Sequence, residues 1–88
     1  LSGAKDLTNL HADKAQRENL NMQKKDCEPE EFDDHDIHIA EHTRFLLGEN
    51  FEDKKEYKNK IIAHLRKHKL LLAAGKAAAA EEQQDESR

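Results

Sequence analysis

Two His-x-x-x-His pairs, His38/His42 and His64/His68, constrain this chain more than any other feature of its sequence. Residues four apart share one face of a helix. The pairs 38/68 and 42/64 also share a midpoint, residue 53, so an antiparallel hairpin of two helices would bring all four imidazoles together. His35 precedes His38 by three residues and lies on the same face. Neutral imidazoles at this spacing can bind zinc or another transition metal. The default expectation is a packing role, in which the rings bridge Ile39, Leu65 and the carboxylates of Asp34, Asp36 and Glu41. No metal ligand and no cofactor is assigned on sequence grounds; His38, His42, His64 and His68 are the candidates for one. Protonating all six histidines would change the formal charge from -4 to +2, which makes an acid switch a separate alternative.

The flanking residues divide the chain into helices. A first helix is expected from about Leu7 to Lys25, capped by Asp6 or Thr8, with Leu7, Leu10, Lys14 and Arg17 on one stripe and Leu20 and Met22 extending it. Pro29 among Glu28, Glu30 and Glu31 marks a linker. A second helix should start at Asp33 or Asp34, with Phe32 as a hydrophobic staple, and stop at Gly48 in a left-handed turn. A third should follow Asn50 as its cap, with Glu52 and Asp53 in its first turn and Tyr57, Ile61, Leu65 and Leu72 along one side. Gly75 is a candidate break, although Ala77–Ala80 could carry the helix on. The expected class is all-α, divided into an N-terminal helix and acidic linker (1–31), a histidine-rich helical hairpin (32–76) and an Ala-rich, acidic, flexible tail (77–88).

Eighty-eight residues allow one small domain. Only 35% of them are hydrophobic, against 39% charged, less than a compact fold of this size normally buries. An enzyme with a preformed pocket is therefore not expected. The stripes read as too thin to close alone, so Ile39, Phe45, Leu46, Tyr57, Ile61, Leu65 and Leu72 are expected to contact neighbouring copies of the chain. A single cysteine, Cys27, excludes an internal disulfide and a Cys-based zinc site. Glycines at 3, 48 and 75 form no phosphate loop. No apolar run approaches the roughly 20 residues that span a bilayer. The first residues, Leu1-Ser2-Gly3-Ala4-Lys5, lack signal-peptide architecture and an initiator methionine, which reads as a trimmed chain or part of a longer one. Asp33, Asp34 and Asp36 lack the spacing of a calcium loop, and a carboxylate-bridged iron bundle needs more long amphipathic helices than this.

Charge falls in blocks. Residues 32–53 carry seven acids and Arg44; residues 54–76 carry seven lysines and Arg66 against Glu56. Such blocks should attract, within the chain or between subunits. The basic block could contact phosphate, but no interleaved aromatics suggest base stacking.

Taken in order, Ala15–Met22 (AQRENLNM), a short acidic linker, Asp33–His42 (DDHDIHIAEH), Phe45-Leu46, Phe51 and Ile61–His68 (IIAHLRKH) resemble the carboxy-terminal region of tailed-bacteriophage portal proteins. The resemblance covers residues 10–72. It implies a structural, non-enzymatic part of a ring, usually of twelve subunits, at one capsid vertex, where the terminal helices form a crown or barrel. Its implied partners are sister copies, capsid and terminase proteins through the parent protein, and duplex DNA passing through the channel without sequence specificity; no membrane is implied. Its implied location is the virion, with assembly in the host cytoplasm. Lys25-Asp26-Cys27 stands where the family linker often carries glycine, and the clip, stem and wing regions are absent. The alternative is a histidine-rich helical module that binds metal or responds to pH; a small DNA-contacting accessory protein is a third reading.

Overall fold

The computed structural model describes the backbone of residues 6–86 and the side chains of residues 6–81. The fold is all-α: α1 (Leu7–Asn21), α2 (His35–Gly48) and α3 (Lys55–Glu86), with α2 packed against both of the others.

Helix α1 starts where a carboxylate can cap it, since Asp6 accepts the N–H of Asn9 at 2.9 Å. It ends four residues before the expected Lys25. The N–H groups of Gln23, Lys24 and Lys25 turn back onto the carbonyls of Leu20 and Asn21. The inward face also differs from the expected stripe. Of the expected positions Leu7, Leu10 and Leu20 are exposed and only Met22 is fully buried, joined there by Ala15, Glu18 and Asn19. Spacings of three, four and seven put those four residues on one face.

Asp34 caps α2 by accepting the N–H of Ile37. Phe32 is exposed rather than stapled, and the Lys14 ammonium lies 5.5 Å from its ring centroid. Gly48 is the last helical residue, and the following Glu49 is extended, so the left-handed stop is not used. Asn50 caps a turn instead of a helix: its Oδ1 accepts the N–H of Glu52, and the Phe51 carbonyl accepts the N–H of Lys54. Helix α3 therefore begins only at Lys55, beyond Glu52 and Asp53. It runs through Gly75 and the alanines to Glu86. The tail expected over 77–88 is helical as far as Glu86, and the remaining two residues lie outside the described part. Alanine's helix preference outweighs the cost of about 1 kcal/mol for one internal glycine.

The interior closes within one chain. Met22, Phe51, Tyr57 and Ile61 form an apolar cluster, with Cys27, Phe45 and Leu46 packed against it. Phe45, Phe51 and Tyr57 meet edge to face at centroid distances of 5.4–6.2 Å, locking the α2–α3 turn. Tyr57 donates its hydroxyl to the Asn19 carbonyl, joining α3 to α1. Tyr57, Ile61 and Leu65, expected at subunit contacts, are thus buried inside the chain, while Ile39 and Leu72 are half-buried. The stripes suffice because buried polar side chains widen them. Among the described residues no ion pair joins a carboxylate of 32–53 to a lysine or arginine of 54–76, so of the two expected ways for the blocks to attract, the one within the chain is not made by ion pairs. No helix among the described residues is long and apolar enough to cross a membrane.

Candidate functional site

Beside the apolar cluster, the hairpin does what the shared midpoint of the histidine pairs predicts. The rings of His38 and His68 lie 4.6 Å apart, centroid to centroid, as do those of His42 and His64. All four are buried, with exposures of 2% or less. From α1, Glu18 enters the same space. Each of these five residues offers a nitrogen or carboxylate oxygen, and the five atoms lie within 4.8 Å of one another.

Helix α1 supplies the residues that sequence reasoning missed. Glu18 Oε1 stands 3.2 Å from His64 Nε2, 3.3 Å from His38 Nδ1 and 3.5 Å from His42 Nε2. Asn19, the next residue, meets His42 Nδ1 through its Oδ1 at 2.7 Å. The spacing of Ala15, Glu18, Asn19 and Met22 marks this face in the sequence, whereas the stripe expected for α1 runs through Leu7, Leu10, Lys14, Arg17, Leu20 and Met22 and shares only Met22 with it. On the far side, His64 Nδ1 reaches the Cys27 carbonyl at 2.7 Å, and His35 and His68 face each other through Nδ1 atoms 2.8 Å apart.

The expected carboxylate partners of the rings are otherwise engaged. Asp34 caps α2, Asp36 is exposed, and Glu41 pairs with Arg44 and accepts from Gln16. Asp33 replaces them: its Oδ2 accepts the N–H of Glu30 at 2.8 Å, and its Oδ1 lies 2.7 Å from the Lys14 ammonium and 3.5 Å from His38 Nε2. Lys14 also holds Glu18 at 2.7 Å, so one ammonium bridges two inward carboxylates. Of the two apolar neighbours expected for the rings, Leu65 is buried and Ile39 is half-buried.

These contacts set the charge states. Burial alone would raise the Glu18 carboxyl, but its charged and polar surroundings, the Lys14 ammonium among them, hold it well below the usual carboxylate range. Glu18 is therefore an anion. Burial lowers His42 despite the facing Glu18. Burial, then the neighbouring rings of His64, His38, His42 and His35, pushes His68 down to about 3. An unfolded histidine titrates near 6.5. Below that pH the unfolded chain binds a proton that the folded His68 refuses, so ion-free protein should lose stability as the pH falls from about 6.5 towards 3. The expected slope is about 1.4 kcal/mol per pH unit for each such proton. Urea denaturation between pH 7.5 and 4.5 in the presence of a chelator checks this; a flat profile would contradict it.

Comparison of the chain with protein-family models, curated proteins and solved structures finds no match. Chemically, the cluster offers four imidazoles and one carboxylate. No thiol belongs to it: Cys27 takes part only through its backbone carbonyl, and burial raises its thiol pKa.

Proposed function

We propose that this chain is a structural assembly module of the kind found at the carboxy-terminal end of tailed-phage portal proteins, a non-enzymatic part of a ring through which DNA is packaged and ejected. One observation carries the reading. The three longest segments in which the chain resembles those proteins, separated in sequence, contribute side chains to one shared interior. AQRENLNM contributes Ala15, Glu18, Asn19 and Met22; DDHDIHIAEH contributes Asp33, His38 and His42; IIAHLRKH contributes Ile61, His64, Leu65 and His68. A resemblance in surface residues would be cheap; this one falls on the side chains that specify the fold.

The surface supports the same reading. Leu20, Phe32, Leu47, Leu70 and Leu71 are exposed. Leu70 and Leu71 lie on the part of α3 that extends past the imidazoles, a natural place for a neighbouring copy to pack. In a ring this module would join sister copies by these exposed apolar side chains rather than by Tyr57, Ile61 and Leu65. Capsid and terminase contacts would be made through the parent protein.

Native mass spectrometry of the protein encoded by the parent reading frame tests the proposal. A closed ring is expected, and a strictly monomeric full-length protein would refute it. Leu70→Asp with Leu71→Asp should weaken the ring while leaving the thermal midpoint of the isolated chain within a few degrees, since substitutions at exposed positions usually change stability by about 0.5 kcal/mol or less. An unaltered ring would remove α3 from the contact.

A further inference from the structure

We propose that Glu18, His38, His42, His64 and His68 bind a single divalent first-row transition ion of the zinc class, which ties α1, α2 and α3 together.

The direction of the ring nitrogens carries the inference. A carbonyl or amide oxygen can only accept a hydrogen bond, so His64 donates its Nδ1–H to Cys27, and His42 donates its Nδ1–H to Asn19. In a neutral imidazole the other nitrogen is then a bare lone pair. Both bare Nε2 atoms point at the same anionic oxygen, Glu18 Oε1, at 3.2 and 3.5 Å. Three acceptors around one point repel one another unless something positive lies between them. His38 adds an independent sign. Its ring is fully buried, yet neither of its nitrogens has a hydrogen-bond partner, and its Nδ1 lies 3.3 Å from that same oxygen. His68 brings its Nε2 to 3.0 Å from His64 Nε2.

A cation satisfies all of these groups together. Bonds of about 2.0–2.2 Å to nitrogen and oxygen would place opposite ligands about 4.2 Å apart. The donor atoms, within 4.8 Å of one another, need close by only a few tenths of an ångström. The outer contacts are those that metal-binding histidines use, with the second ring nitrogen tied to a carbonyl or amide oxygen. Four imidazoles and one carboxylate suit zinc, cobalt, nickel or iron(II), whereas calcium and magnesium prefer all-oxygen shells. The ligands are buried, as in a structural rather than a catalytic centre.

Protons are the rival explanation. A protonated His64 or His42 could donate to Glu18, but the rings stand 4.6–5.5 Å apart, so charging several of them would bury like charges side by side. A second group, His11, Asp33 and His38, is less suited. His11 Nδ1 accepts the Asp34 N–H, and Asp33 is held by Lys14 and Glu30.

The test uses the full chain without a polyhistidine tag, stripped by a chelator and titrated with Zn2+ in a calorimeter and with Co2+ in a spectrophotometer. One equivalent should bind with a dissociation constant below about 1 µM, cobalt should develop ligand-field absorption, and the thermal midpoint should rise on loading. His11→Ala should bind unchanged. His42→Ala should bind at least tenfold more weakly. Should that variant lose its helicity, Glu18→Gln provides the second arm. Its amide can donate to a bare Nε2, and Lys14 keeps Asp33 as a partner, so the ion-free variant should stay helical, yet bind zinc at least tenfold more weakly. Binding weaker than the stated limit overturns the proposal, as does binding that neither His42→Ala nor Glu18→Gln weakens. Ring assembly is a separate readout, so this inference and the portal reading fail independently.

Discussion

Ile61→Asp should abolish cooperative folding of the isolated chain. Ile61 is fully buried at the centre of the apolar cluster with Met22, Phe51 and Tyr57. The substitution removes the packing of a large side chain, which alone costs on the order of 2–5 kcal/mol. It also buries a carboxylate with no cation in the cluster to receive it, and several kcal/mol more follow from desolvation. Small domains have about 5–15 kcal/mol to lose. The expected circular-dichroism melt is a shallow, non-cooperative loss of helix from low temperature. The reason is internal: Ile61 faces Tyr57 and Met22 in its own chain, so the defect should appear at any protein concentration. A sharp melt near the parent midpoint would show that the core lies elsewhere.

Lys14→Ala should be nearly as damaging, although lysine is the less obvious target. Its ammonium is 2.7 Å from both Glu18 and Asp33, and the Asp33 side chain is completely buried. Those contacts raise the Lys14 pKa against a burial effect that lowers it, so the ammonium stays charged. Truncation leaves two inward anions facing histidines with no fixed cation between them. Breaking a buried pair from one side costs about 3–5 kcal/mol, and Lys14 is partly exposed, so about 3 kcal/mol is expected near neutral pH. Lowering the pH should recover part of the loss as Asp33, no longer held down by the ammonium, takes up a proton. Chemical denaturation at pH 7 and pH 4 measures both effects; an unchanged midpoint at pH 7 would mean that solvent screens the bridge.

The hairpin was legible because its evidence is arithmetic. Histidines at 38, 42, 64 and 68 share a midpoint, and two antiparallel helices must bring such positions together. Asp34 as a cap and Tyr57-Ile61-Leu65 as a stripe were legible for the same reason: local periodicity decides them. The inward face of helix α1 is not legible from a stripe anchored on its leucines. Its leucines face solvent, and its inward face sets a glutamate and an asparagine between Ala15 and Met22; the two polar residues turn inward because histidines from two other helices await them. That pairing is non-local, and no window of sequence along α1 contains it. Asp33 hid similarly. Next to a good capping residue it looked like a second cap, whereas a lysine 19 positions earlier and a ring in α2 hold it. The continuation of α3 past Gly75 was a contest between one glycine and many alanines, and the alanines prevailed.

Asn19 has a consequence out of proportion to its size. Its carbonyl receives the Tyr57 hydroxyl from the aromatic end of the bundle, and its side chain fixes the His42 ring at the imidazole end. The dry and the polar compartments therefore share one residue as a common wall. Substitutions made on the two sides, Tyr57→Phe and His42→Gln for instance, should not add, because each loosens the strut that the other leans on.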